Sequence, residues 1–175
     1  MPNAPYLNLY KPFKHMRQMQ KNEEKVMKIK ITRNIFFLLL GFLGLGAIGG
    51  GGALIISPTG ELIGMPLSML EKSPFNSFFI PGVILFLVLG LIPLLLIIAL
   101  LKQPESKLAE QINLFKDMHW SWTYSIYIAF ALIIWIQIQM VFLHDVHWAH
   151  TFYMFFALTI ITVALLPQIR NLYKK

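Results

Sequence analysis

Cysteine is missing from the 175-residue chain, and that absence closes several functional classes. Without thiols there is no structural disulfide, no thiolate metal site and no cysteine nucleophile. Four-helix membrane oxidoreductases that couple a thiol pair to a quinone are excluded for the same reason. Charge is scarce as well: 13% of residues are Asp, Glu, Lys or Arg, against 57% hydrophobic, a balance outside that of soluble domains. No Asp, Glu, Lys, Arg or His falls within a long apolar run away from its ends, so the usual intramembrane functional group is lacking. Four-span sterol isomerases are of comparable size but place acidic residues inside the membrane.

What the chain does hold is apolar length. A bilayer core about 30 Å thick needs roughly 20 apolar residues per helical span, and the stretches Asn34 to Ile56, Phe78 to Leu101, Trp122 to Leu143 and Trp148 to Pro167 qualify. The expected fold is an all-α membrane protein, a four-helix transmembrane bundle, with a basic amphipathic segment over residues 1–33 and the four-span domain over 34–175. No room remains for a separate soluble domain. A net charge of +7 might point to nucleic acid, but the placement of the basic residues reads as topology. They crowd before the first span, between the second and third, and after the fourth, while only Lys72 lies in the alternate loops. By the positive-inside rule both termini are expected in the cytoplasm of a bacterial inner membrane, with Ser57 to Ser77 and the turn around Asp145 outside.

Between Phe13 and Ile29, Phe13, Met16, Met19, Val26 and Met27 recur at roughly helical spacing among Lys and Arg. This suits a helix lying on anionic lipid headgroups, where each basic residue contributes about 1 kcal/mol; a cationic signal that only fixes orientation fits equally. The first span is bulky at its inner end and small at its outer half. Gly46 with Gly50, Ala47 with Gly51 and Gly49 with Ala53 have the spacing through which membrane helices approach closely. The run Gly49 to Gly52 costs about 1 kcal/mol per residue against Ala in a helix, so it calls for tight packing, local unwinding or a backbone-lined cavity. Ser57-Pro58-Thr59-Gly60 predicts a type I turn, and Pro66 to Lys72 a short helical turn. Ser77 is expected to cap the second span, Pro81 to sit in its first turn, and Pro93 to kink it. Leu108, Ile112 and Phe115 predict a short amphipathic helix in the cytoplasmic loop, and Trp120, Trp122 and Tyr124 an aromatic belt.

The succession of a glycine-rich span, S-P-T-G-E-L-I-G-M-P, S-P-F at Ser73 to Phe75, P-G at Pro81 and Gly82, W-I-Q at Trp135 to Gln137 and L-P-Q-I-R at Leu166 to Arg170 resembles a group of small bacterial four-span membrane proteins. The resemblance covers most of the chain after Asn34. It implies a topology and a bacterial membrane, and no activity.

No catalytic motif accompanies these features, and three functional readings stay open. In the first, the protein is a structural or accessory component, a homo-oligomer or a subunit of a larger membrane complex, assembling through the small-residue faces at Gly46, Gly50 and Ala53. In the second, a lipophilic molecule sits between the spans in a pocket drawn from Gly49, Gly50, Pro93, Trp135, Gln137 and Tyr153, with the outer loop as lid. The third uses the outer histidines. His147 and His150, three apart on a helix, have a spacing that can hold a divalent metal such as Zn²⁺ or Cu²⁺, with His144 and Glu61 as further ligands; anchoring, helix capping by Asp145 and proton sensing are the alternatives. Gln137 and Gln139 point about 200° apart on a helix, so one is expected to bond a neighbouring helix and the other to reach the headgroups. Four helices without a polar stripe leave no lumen for ions.

Overall fold

A computed structural model describes residues 10–143 and 147–175, with the side chains of residues 10–14 left aside. The described chain is helical, and four of its helical stretches are long and apolar enough to cross a membrane. Their ends alternate, which brings Tyr173 beside Arg33 at one end, the terminal end, and the Ser57 to Ser77 loop to the other.

The first helix, α1, runs unbroken over Tyr10–Ile56, 47 residues, or about 70 Å at 1.5 Å per residue. The expected division at residue 33 therefore falls inside a helix. The basic segment and the span belong to one helix, along which Met16, Met19, Val26 and Met27 are exposed. Nothing between Lys28 and Phe36 breaks the backbone hydrogen bonding, and a break is what a turn would require. The glycine run stays helical too, because the second span packs against it.

That second span comprises α2 (Phe79–Ile84), a π-helical segment (Leu85–Leu91) and α3 (Ile92–Lys102). Pro93 lacks the N–H that the carbonyl four residues back would accept. In place of a simple kink the helix widens just before it, and the Ile92 N–H reaches Leu87 O, five residues away. Helix α4 (Lys107–Gln111) occupies the intervening loop, followed by α5 (Trp120–Leu143), α6 (Trp148–Leu165) and a short α7 (Pro167–Arg170). The core threads all four spans through Phe36, Leu40, Leu89, Leu100, Trp122, Ala129, Ala157 and Ile160.

The spans meet most closely where glycine removes a side chain. A Cβ added to Gly51 would lie 2.7 Å from Phe86 N and 2.8 Å from Gly82 O, and one on Gly90 would lie 2.8 Å from Ile48 Cγ1. Gly44 and Gly82 face equally tight neighbours in Leu94 and Leu54. The face of α1 that meets α2 and the π segment thus runs through Gly44, Ile48 and Gly51. Gly46 and Gly50 lie to one side of it, where added Cβ atoms would find only Tyr153 Oη at 3.8 Å and Leu85 Cδ2 at 3.7 Å.

At the terminal end, Trp122 is buried at 1% exposure and donates from Nε1 to Ala164 O at 2.8 Å. It belongs to the core, not to an interfacial belt, and Phe115 stacks edge-on against it at 5.4 Å. The loop helix is shorter than expected because Asn113 ends it. The buried Asn113 amide donates to Met118 O at 2.8 Å and accepts from Thr123 Oγ1 at 2.6 Å. Ser106 caps α4, accepting from Ala109 N–H. Lys175 closes this end, donating to Glu110 Oε2 at 2.6 Å, while the His119 N–H donates to Tyr173 O at 2.7 Å.

Candidate functional site

The Ser57 to Ser77 loop is a built structure. Gly60 N–H donates to Ser57 O at 2.9 Å, closing the expected turn, and the φ of +81° at Gly60 is one that side chains other than glycine's resist. Short 3₁₀ turns follow over Glu61–Ile63 and Leu67–Leu70. The loop is tied down at its far end, where Phe78 N–H donates to Pro58 O at 2.9 Å. Ser77 Oγ accepts from Phe79 N–H at 3.4 Å at the start of α2. Leu54, Leu70 and Phe78 form a small second core beneath the loop, against Met65, Met69, Phe75 and Leu143.

Under this loop lies a cavity of about 230 Å³, walled by loop residues Met65, Leu70, Pro74, Phe75 and Phe78 and by Ile138, Phe142 and Leu143 of α5. Phe75 meets Phe142 edge-on at 6.2 Å, which draws the loop onto α5. A second cavity of about 170 Å³ lies deeper in the bundle, between Gly46, Ala47 and Gly50 of α1, Leu85 and Leu89 of the π segment, Leu132 and Ile136 of α5, and Tyr153 of α6. Trp135 and Gln139 line both. The two chambers therefore adjoin at one indole and one amide. Gly46 lines the deeper chamber and is itself exposed, so that chamber opens sideways between α1 and α6. Below the opening, Phe42 and Phe156 touch at 5.3 Å between ring centres.

Of the residues expected to form a ligand pocket, Gly50, Trp135 and Tyr153 come together in the deeper chamber. Gly49 faces open space and Pro93 is buried in the core. Gln137 is exposed and reaches Met154 Sδ at 3.9 Å on α6, whereas Gln139, half-buried, faces the chambers. Spacing alone showed that the glutamines point apart, not which one points inward. Gly46 was expected as a packing residue and lines the cavity instead.

His147 and His150 bond the backbone at the start of α6. His147 caps α6, its Nδ1 accepting from Ala149 N–H at 3.4 Å, while the His147 N–H donates to His150 Nδ1 at 3.1 Å. This reciprocal box turns both Nδ1 atoms to the backbone. Glu61 is exposed on the loop, and His144 and Asp145 lie outside the described residues. Among the described residues no group of three His, Asp or Glu is close enough to hold a metal ion.

At the terminal end, partial burial pushes the Glu110 carboxyl up, but hydrogen bonds from Lys175 and Asn113 more than offset this and hold it below the usual glutamate range. Burial pushes the Tyr173 phenol up to about 12, against the opposing charge of Arg33. These groups staple the chain end to the α4 loop and face neither chamber. In comparisons with protein-family models, with curated proteins and with solved structures, the chain matches none.

Proposed function

We propose that this protein holds a lipophilic molecule, a lipid or lipid-like ligand, between its spans. The observation that carries the reading is the pair of apolar chambers sharing Trp135 and Gln139. Small-molecule sites are concave, mostly apolar and fixed by a few polar groups, and here Gln139 and the Tyr153 hydroxyl are the side-chain polar groups offered besides the Trp135 indole N–H. The half-buried Gln139 amide, facing an apolar chamber, favours a ligand carrying a hydroxyl, carbonyl or ester oxygen. Entry fits the sideways opening at Gly46, directly from the bilayer, with the Ser57 to Ser77 loop as the cover at the other end. The distribution of Lys and Arg supports an orientation with both termini cytoplasmic.

Assembly into a homo-oligomer or a larger complex through the small-residue faces has less support. The close glycine contacts at Gly44, Gly51, Gly82 and Gly90 are made within the chain, which leaves Gly49 as the open member of that set. No Asp, Glu, His, Lys, Ser or Thr lines either chamber and Tyr153 is the one hydroxyl there, so a binding or carrier role is favoured over catalysis.

The test is photocrosslinking in native membranes. A benzoylphenylalanine replacing Ile138, at the chamber wall, is expected to give a protein adduct of one discrete added mass. The same probe replacing Ile98, half-exposed on α3, is expected to capture the mixed bulk lipids. Identical adduct spectra from the two positions would defeat the reading.

A further inference from the structure

Alongside the chambers, the terminal end carries a groove of about 500 Å³ between α1 and the chain after α6. One wall is Lys21, Glu24, Lys25, Lys28 and Ile29 of α1; the other is Pro167, Gln168, Asn171 and Leu172. At about 100° per residue, Lys21, Lys25 and Lys28 lie within an arc of about 60° on one helix face. Like charges at this spacing repel. The described ion pairs are Arg170 with Asp117 and Lys175 with Glu110; none of the three lysines is in one, and with Glu24 in the same lining the groove keeps an excess of two positive charges. On the facing wall Gln168 is half-buried, with its Oε1 closed off from solvent and without a hydrogen-bond partner. Such a group in a native structure calls for a missing partner.

We infer that this groove binds a phosphate group. Three lysines lining one cleft match the charge and the several acceptor oxygens of a phosphate better than they match a single carboxylate. The Gln168 amide, opposite, can donate from its NH₂ to a phosphate oxygen. Depth leaves two sources for that phosphate. Lys28 lies six residues before Asn34, about 9 Å from the start of the apolar run, and the headgroup layer extends roughly 5–8 Å beyond the hydrocarbon on each side. The near end of the groove is thus within reach of a lipid phosphodiester, and its far end, at Lys21 and Lys25, stands in water where a soluble phosphorylated solute has access. This site is separate from the chambers and does not depend on them.

The experiment uses the full chain in nanodiscs. In one arm the discs contain phosphatidylcholine alone or with phosphatidylglycerol, and lipid retained after transfer to detergent is counted by native mass spectrometry. In the other, inorganic phosphate or pyrophosphate is titrated calorimetrically into discs of phosphatidylcholine. The variant is Lys21→Gln with Lys25→Gln and Lys28→Gln; the control, with the same change in charge, is Lys102→Gln with Lys107→Gln and Lys116→Gln. All six lysines are exposed, and of them Lys116 alone gives up a side-chain hydrogen bond, to Glu110 O, so both proteins are expected to fold, which circular dichroism checks. The wild type and the control are expected to bind at least tenfold more tightly than the variant in at least one arm. Preference for phosphatidylglycerol identifies a lipid headgroup, and preference for free phosphate a soluble ligand. Equal binding by variant and control in both arms would overturn the inference.

Discussion

Substituting neighbouring glycines in α1 separates close helix packing from cavity lining with little ambiguity. Gly50 and Gly51 are consecutive, both helical, so Gly→Ala at either gains the same intrinsic helix propensity, about 1 kcal/mol. What differs is the neighbour. At Gly51 the new methyl would stand 2.7 Å from Phe86 N and 2.8 Å from Gly82 O, both backbone atoms that cannot rotate away. At Gly50 it would stand 3.7 Å from the end of the Leu85 side chain, an ordinary contact. Relieving the overlap at Gly51 means moving α1 away from the second span along its length, and overpacking of this kind costs about 1–3 kcal/mol. Because propensity cancels between the sites, Gly51→Ala should be less stable than Gly50→Ala by about 1–3 kcal/mol. Reversible unfolding in mixed micelles, with the denaturing detergent titrated and helicity followed, measures that difference. Equal midpoints for the two variants would refute the assignment of Gly51 to the packing face.

Other predictions follow from the ends of the bundle. His147→Ala with His150→Ala should remove a helix cap and destabilise the protein by about 1 kcal/mol, while elemental analysis finds the metal content of the purified protein unchanged; stoichiometric zinc lost in the double variant would restore the metal reading. Trp122→Phe deletes the donor to the buried Ala164 carbonyl and should cost about 1–3 kcal/mol, whereas Trp148→Phe, at an exposed ring, should change the unfolding midpoint little. Because the folded-state pKa of Glu110 is depressed, the stability its pairing with Lys175 contributes is present above the ordinary glutamate range and is lost as pH falls through the lower folded value. Tyr173 has the opposite sign. Its raised pKa of about 12 means that its contribution is intact below the ordinary tyrosine value near 10 and is lost as pH rises from there toward 12. Amide exchange of the Tyr173 segment followed against pH would check both limbs; protection unchanged through both windows would contradict them.

The spans were legible because membrane helices announce themselves by apolar length alone, and Ser57-Pro58-Thr59-Gly60 because its turn chemistry is local. The faces of those helices were not legible in the same way. Gly46 with Gly50 and Gly44 with Gly51 have helix-compatible spacings of equal merit, and only the position of the π segment decides which meets a neighbour. The register of α5 likewise decides that Gln139 faces the chambers and Gln137 does not. Trp122 reads as an interfacial residue by type and position; it becomes a core residue because α6 presents the Ala164 carbonyl at hydrogen-bonding distance. The continuity of α1 through Arg33 was hidden by composition. A change from basic to apolar sequence suggests a boundary, but the backbone bends only where its hydrogen bonds are interrupted, and no Pro or Gly lies between Lys14 and Leu40.

The account rests on an occupant in the paired chambers. The direct measurement is the mass of small molecules released by organic extraction from protein purified gently out of its own membrane, for wild type and for Gly50→Phe with Gln139→Leu. Gly50 and Gln139 both line the deeper chamber, so the first substitution fills it and the second removes its amide. The account predicts one lipophilic species near one equivalent with the wild type, depleted at least tenfold in a variant that still folds. A wild type that releases only the bulk lipid mixture, in amounts the variant matches, would contradict it.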